Sequence, residues 1–262
     1  MASMDYDEAA AELLEAVYLG ADIVAQRKET LRRLALQPSE AVLDIGSGPG
    51  FLAQEIADVV GPSGRVRGVD LSPDMIRRAS DRNSKTWLSF VEGDAAALPE
   101  PDQAYDVVVS TQVAEYVPDV TSFCSEAFRV LKPGGRGLIL ATDWDAVAWY
   151  SDDPSRMKRV LEAFKPHCAD SQLPRNLAPR LRQSGFTVTD VSAFPIINLD
   201  WEEGCYSQKA APFIAAYVRG QDALPEAEIL AWEAELEELA LQGRYFFSSS
   251  RILFMVHRPN QS

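Results

Sequence analysis

Apolar positions recur at helical spacing through residues 7–36, at Ala9, Leu13, Leu14, Val17, Ile23, Val24, Leu31 and Leu34, with a break near Gly20. The period then changes. Ala41-Val42-Leu43-Asp44-Ile45 is a short apolar run ending in glycines, and a helical stretch follows from Phe51 to Val60. Residues 65–70, 88–91, 105–110 and 137–141 read as four further strands. Ser72-Pro73-Asp74 opens a helix with an N-cap hydroxyl, a proline at the first helical position and an acid in the first turn. A helix is also expected around 119–131, and Lys132-Pro133-Gly134-Gly135 reads as a turn. Strands alternating with helices, most of them continuous apolar runs, predict an α/β fold: a doubly wound, mostly parallel sheet covered on both faces.

After residue 142 the rhythm loosens. Residues 145–184 read as helical, Phe186 to Val191 alternates like a strand, and Phe246 to Val256 closes the chain as another. Residues 225–242 form an acidic helix whose apolar positions are Ile229, Leu230, Trp232, Leu236 and Leu239; it reads as a solvated face with one buried stripe. No repeat or Pro/Gly/Ser linker interrupts the chain. The pattern predicts one domain over residues 1–262, with a core at about 37–145, 185–195 and 245–258. A helical cap is assigned to about 5–36, 146–184 and 196–243.

Charge narrows the partners. The 262 residues carry 25 Lys+Arg against 39 Asp+Glu, a formal net charge of −14. Wide contact with nucleic acid wants a basic stripe, and anionic lipid wants the same, so neither partner is expected. The first twenty residues carry acids where a signal peptide would carry bases, and no apolar run reaches the roughly 18 residues of a membrane span. Two histidines and three scattered cysteines, Cys124, Cys168 and Cys205, give no zinc-like spacing. A metal-free protein of the reducing cytoplasm is the expectation.

The strongest chemical signal is Val42-Leu43-Asp44-Ile45-Gly46-Ser47-Gly48-Pro49-Gly50-Phe51. Glycines after a first strand let the chain turn tightly and bring amides close to a ligand at a helix N-terminus. The order is G-x-G-x-G, with Phe51 where a dinucleotide fold would place its third glycine, which counts against a nicotinamide cofactor. Asp70 ends the second strand about 20 residues on, where an acid can accept from both ribose hydroxyls. Glu92-Gly93-Asp94-Ala95 ends the third, where a carboxylate can accept from an exocyclic adenine amine. Each acid alone is unremarkable. In this order, on the carboxyl edge of a parallel sheet, the three strand ends describe a nucleoside site.

With these segments the chain resembles the class I S-adenosylmethionine-dependent methyltransferases, within them most the small-molecule branch typified by the ubiquinone/menaquinone-biosynthesis enzymes. The matching text is VLDIGSGPG (42–50), GVDLSPDMI (68–76), EGDAAALP (92–99), YDVVVSTQVAEYVPD (105–119) and RVLKPGGRGLIL (129–140), and the likeness covers roughly residues 30–195. It implies a Rossmann-like, seven-stranded sheet whose last strand, Phe246 to Val256, runs antiparallel. It further implies that Asp44, Gly46, Ser47 and Gly48 cradle the methionine portion of S-adenosyl-L-methionine, Asp70 the ribose and Asp94 the adenine amine. Leu71 and Met75 would flank the adenine, Ala95 would offer its backbone, and Thr111 and Gln112 would lie near the sulfonium and amino-acid tail. Tyr116 stands where the family commonly has a histidine.

Two contacts are added from the residues themselves. Arg27, on a helix expected to fold over the pocket, is a cation for the methionine carboxylate or a solvated helix residue. Tyr18 is a lid aromatic or plain core.

Methyl transfer from a sulfonium is an in-line displacement that needs alignment and a dry cavity more than a dedicated catalytic group. A hydroxyl acceptor would need a base. Candidates are Tyr116 and its neighbour Glu115 after the fourth strand, Asp143 with Trp144 after the fifth, and His167, the only central histidine. Each has a plainer role: Glu115 as a solvent-facing acid, Asp143 as a helix cap, His167 as a structural ring. Acceptor choice is assigned to the aromatic-rich segments outside the core, for a small organic acceptor. Rival readings are a tRNA or protein methyltransferase and a non-catalytic S-adenosylmethionine-binding regulator.

Overall fold

The computed structural model describes residues 15–260. They divide into two compact units. The first, a sheet unit, comprises Arg27–Thr142, Gln172–Ala193 and residues 252–260; the second, largely helical, comprises residues 15–26, Asp143–Ser171 and Phe194–Arg251.

In the sheet unit β1 (Ala41–Ile45), β2 (Arg65–Asp70), β3 (Leu88–Glu92), β4 (Tyr105–Thr111) and β5 (Leu131–Thr142) alternate with α2 (Phe51–Val60), α3 (Pro73–Arg82) and α4 (Val120–Val130). α1 (Ala21–Leu34) begins in the helical unit and ends in this one. The pairs β1–β2, β1–β4, β2–β3 and β4–β5 are all parallel. Helix starts follow local chemistry. The Ser72 hydroxyl accepts from the Met75 amide with Pro73 behind it, and Asp119 accepts from the Ser122 amide. α2 buries Leu52, Ala53, Ile56, Ala57 and Val60 on one face, the helical period written in the sequence. Leu43, Ile45, Val108, Phe123, Val130 and Ile139 centre the core, joined by Leu177 and Leu181 of α6 (Pro174–Gln183).

Residues 132–135 do turn, but inside a strand. β5 pairs Leu131 with Tyr105 and then Arg136 with Val107, so the intervening residues bulge from the ladder. The bulge is tied to the last strand, β8 (Phe247–His257), where the Gly134 amide donates to the Arg258 carbonyl and the Arg258 amide to the Gly135 carbonyl, both at 2.9 Å. The chain directions there are opposed, as the family resemblance implied for the final strand.

The sheet order is β3-β2-β1-β4-β5-β8-β6, with β7 (Thr187–Asn198) paired to β8. Among the described residues the sheet has eight strands where seven were expected. The addition is β6 (Ala148–Trp149), which pairs antiparallel with the start of β8 inside a stretch read from sequence as helical. Two residues are too short to leave a periodic signature.

The helical unit packs α5 (Pro154–Phe164), α7 (Tyr206–Gly220) and α8 (Glu226–Leu241) around Trp149, Val160, Ile214, Trp232, Leu236 and Phe247. In α8 the expected stripe is buried at Ile229, Trp232, Leu236 and Leu239, while Leu230 is exposed. The acidic face departs from its reading at Glu235. That carboxylate is buried and accepts from the Ser151 hydroxyl at 2.8 Å, the Asp152 amide at 2.6 Å, the Asp153 amide at 3.1 Å and Arg156 at 2.8 Å. No helix among the described residues is long and apolar enough to cross a membrane.

Candidate functional site

β1 delivers Asp44 and Ile45 to the carboxyl edge of the sheet, and the chain then turns through Gly46, Gly48 and Gly50 with φ of 73°, 51° and 83°. These are left-handed conformations that glycine adopts without cost. Space also demands glycine: a Cβ on Gly46 would lie 2.1 Å from the Val113 side chain, and one on Gly50 would lie 2.8 Å from the Phe90 ring. The loop is pinned by its own amides. Gly46 and Ser47 both donate to the Val69 carbonyl, at 2.7 and 2.9 Å, and Gly48 donates to Asp70 Oδ2 at 2.8 Å. The other Asp70 oxygen accepts from the Ser72 amide at 2.9 Å. Asp70 thus braces the glycine loop and the start of α3 together.

Asp44 is almost wholly buried, and its Oδ2 has no hydrogen-bond partner within the protein. Burial, reinforced by the nearby negative charge of Asp70, pushes its carboxyl up to about 7. Asp70 is also raised by burial, against the amides that favour its charged form. The Ser47 hydroxyl is likewise buried without a partner. At the third strand end Asp94 is exposed and accepts from the Ala96 amide at 2.8 Å, with Ala95 half-buried beside it. Leu71 is exposed, whereas Met75 is buried. At the fourth, Thr111 and Gln112 are half-buried, and Gln112 takes a left-handed φ of 58° while its amide donates to the Leu140 carbonyl at 2.8 Å. Asp44, Gly46, Ser47, Gly48, Asp70, Asp94, Ala95, Thr111 and Gln112 therefore share one edge of one sheet, at the ends of four neighbouring strands.

Residues 43–139 match a family model described as a methyltransferase domain. Over these residues the chain is similar to a methyltransferase domain, as the sequence resemblance implied. Similar proteins include an arsenite methyltransferase of Halobacterium salinarum, 38% identical over 60% of this chain and 40% of that protein. Another is a demethylmenaquinone methyltransferase of Anoxybacillus flavithermus, 34% identical over 45% of this chain and 52% of that protein. The chain spans about half the length of the curated relatives it matches. In fold it is similar to a phosphoethanolamine N-methyltransferase of Haemonchus contortus solved with S-adenosyl-L-methionine. The TM-score is 0.65 at 17% identity, covering 98% of this chain and 59% of that one.

The methyltransferase domain fits the cofactor of its class, S-adenosyl-L-methionine. The buried, unpartnered Asp44 oxygen calls for a donor or a positive charge, which an α-ammonium supplies. The Asp70 carboxylate, an acceptor at both oxygens, is the kind of group that a ribose diol can donate to. Phe51, which displaces the third glycine of a dinucleotide loop, opens α2 with Arg82 4.2 Å and Arg27 5.4 Å from its ring centroid. Arg82 also donates to the Pro49 carbonyl.

The remaining sequence candidates are placed as follows. Arg27 is buried and donates to Glu55 of α2 at 2.9 Å, so it is not a solvated helix residue. Tyr116 is half-buried in the turn Ala114–Tyr116. Glu115, open to a solvent-facing reading in the sequence, is wholly buried and accepts from the Thr142 amide at 3.0 Å, joining the ends of β4 and β5.

In the helical unit Tyr18 packs partly buried against the core. Asp143 caps the turn Trp144–Ala146, its carboxylate accepting from the Asp145 amide at 3.2 Å. His167 stacks on Phe164 at 3.7 Å, meets Trp144 edge-on at 4.6 Å, and holds Nδ1 2.6 Å from the Phe164 carbonyl. Burial pushes its imidazole down to about 4, so the ring is neutral at pH 7 and a weak base. No group of three His, Cys, Asp or Glu side chains among the described residues could hold a metal.

Sequence reasoning missed the residues that shape the loop from outside it. Val113 fills the space beside Gly46, Ser110 donates to the Ile45 carbonyl at 2.9 Å, and Phe90 closes on Gly50 and Gly68. Gly68 carried a usable signal, since a glycine inside a strand marks a close approach; a Cβ there would lie 2.5 Å from Phe90.

Proposed function

We propose that this protein transfers the methyl group of S-adenosyl-L-methionine to a small organic acceptor. The observation that carries the reading is the Asp70 carboxylate, bonded to the Gly48 amide at the same sheet edge as Asp44 and the glycine loop. In this reading Asp44, Gly46, Ser47 and Gly48 hold the amino-acid end, with Thr111 and Gln112 near the sulfonium. Asp70 takes the ribose hydroxyls, Asp94 and the Ala95 backbone the adenine edge, and Leu71 and Met75 its faces. Arg27 is bonded to Glu55, and a role toward the methionine carboxylate requires that pair to share its cation.

The bound cofactor supplies an electrophilic methyl on a sulfonium; the chain supplies position. Holding two reactants in line is worth about 7–11 kcal/mol, so no residue need carry the proton if the acceptor is already nucleophilic. His167, neutral and stacked into the core of the helical unit, is not proposed as a base. A thiophilic arsenic acceptor would want converging thiols, yet Cys124 is buried in the sheet-unit core with its thiol pushed up to about 12. Cys124 therefore does not serve such an acceptor, and an organic one is proposed. The net charge of −14 supports a small molecule over tRNA.

The test is release of S-adenosylhomocysteine from S-adenosyl-L-methionine in the presence of a metabolite library. Turnover with one class of small molecule supports the reading. Cofactor binding without turnover on any of them would point to a binding protein instead.

A further inference from the structure

We propose that Asp44 and Asp70 form a proton-linked pair, in which Asp44 holds a proton in the free protein and releases it when the cofactor's ammonium arrives. The proposal rests on the reading of this loop as the S-adenosyl-L-methionine site.

The geometry makes the two acids unequal. Asp70 accepts from the amides of Gly48 at 2.8 Å and Ser72 at 2.9 Å, and the Leu71 amide adds to them in stabilising its negative charge. Asp44 is buried and its Oδ2 has no donor. Its neighbours in register are Gly68 on β2 and Val109 on β4, which bring no charge and no side-chain donor. The charge that acts on Asp44 is the like charge of Asp70, at the end of β2. Arg27 on α1 and Glu55 on α2 form an ion pair with one another at 2.9 Å. Two carboxylates so placed do not both ionise cheaply, and the one with a buried oxygen lacking any donor keeps the proton. The shift of Asp44 to about 7 agrees with that assignment.

An α-ammonium brought to Oδ2 changes the balance. It supplies both the donor and the positive charge that the proton supplied, so the Asp44 proton passes to solvent as the ligand's own N–H groups take its place. Binding then tightens as pH rises through the titration of Asp44 and levels off above it. For one proton titrating near neutrality, affinity should be about tenfold weaker at pH 6 than at pH 8, with about half a proton released per ligand at pH 7.

Calorimetric titration with S-adenosylhomocysteine, in buffers of different ionisation enthalpy at pH 6, 7 and 8, reads both quantities. The expected result is that dependence in the wild type and its loss in Asp44→Asn, where nothing at that position titrates. The infrared band of a protonated carboxyl, present in the free wild type and lost on binding, gives the same answer should the variant fail to bind. Tight binding with no proton released at any of these pH values overturns the pair and leaves the cofactor site standing. Release that persists in Asp44→Asn overturns it too, by placing the proton elsewhere. Absence of binding at every pH removes the cofactor reading itself, and this proposal with it.

Discussion

The amide of Gly48 donates to Asp70 Oδ2 at 2.8 Å, joining the glycine loop after β1 to the acidic end of β2. Two sequence signals 22 residues apart are thus one structural object. The same carboxylate that is read as the ribose acceptor also holds the loop in the shape that would receive the amino-acid end.

Removing it should therefore cost more than one contact. Asp70→Ala is expected to weaken S-adenosylhomocysteine binding ten- to a hundredfold, on the scale of about 1.5–3 kcal/mol for lost bonds to a charged group. Calorimetric titration measures this, and an unchanged affinity would put the ribose elsewhere.

The glycine loop is set by exclusion as well as by bonding. In Gly46→Ala the new methyl meets Val113, and the left-handed φ of 73° adds strain of about 1–3 kcal/mol. The variant should unfold at lower urea. Pairing it with Val113→Ala should recover the overlap but not the strain, so partial rescue in the double variant is the outcome to look for.

His167 should mark stability, not chemistry. Its folded-state pKa of about 4 lies below the ordinary 6.5, so the unfolded chain binds the extra proton first as pH falls. The stabilisation is complete above about pH 6.5 and is lost as pH drops toward 4, amounting to about 3 kcal/mol at most. Urea unfolding at pH 4.5 and 7 should show that slope in the wild type and a shallower one in His167→Phe. A pH–rate profile carrying a residue-167 limb would contradict the structural role.

Glu235 anchors the acidic helix α8 to the start of α5. Glu235→Ala strands Arg156, two amides and the Ser151 hydroxyl in a buried place, and should cost about 3–5 kcal/mol in denaturant unfolding. Those partners hold the Glu235 carboxyl below its usual range despite burial. The stabilisation is therefore present above the ordinary glutamate pKa and disappears as pH falls through the lowered one. A neutral effect of the substitution would mean that the carboxylate is replaceable by water.

Much of this architecture is legible in one dimension because its causes are local. The apolar runs of β1 and β4 are continuous because both faces of a parallel strand are covered, and Ser72-Pro73 caps α3 with atoms three residues apart. The bulge at 132–135 could be read as a turn but not as an interruption of β5, because only the register against β4 shows the strand on both sides of it. β6 escaped because two residues carry no period.

Sequence alone determined the order of strands and helices from β1 through β5, the glycine loop, and the acids that end β2 and β3, since each is set by propensity or by steric need within a few residues. Tertiary structure alone decided which acids are buried and what they bond. It placed Glu115 inside against the Thr142 amide, drew Glu235 out of a solvated face, and set Asp44 under the charge of Asp70 with its Oδ2 lacking a donor. Burial and partnership belong to residues far apart in the chain, and the energy of a carboxylate depends on both.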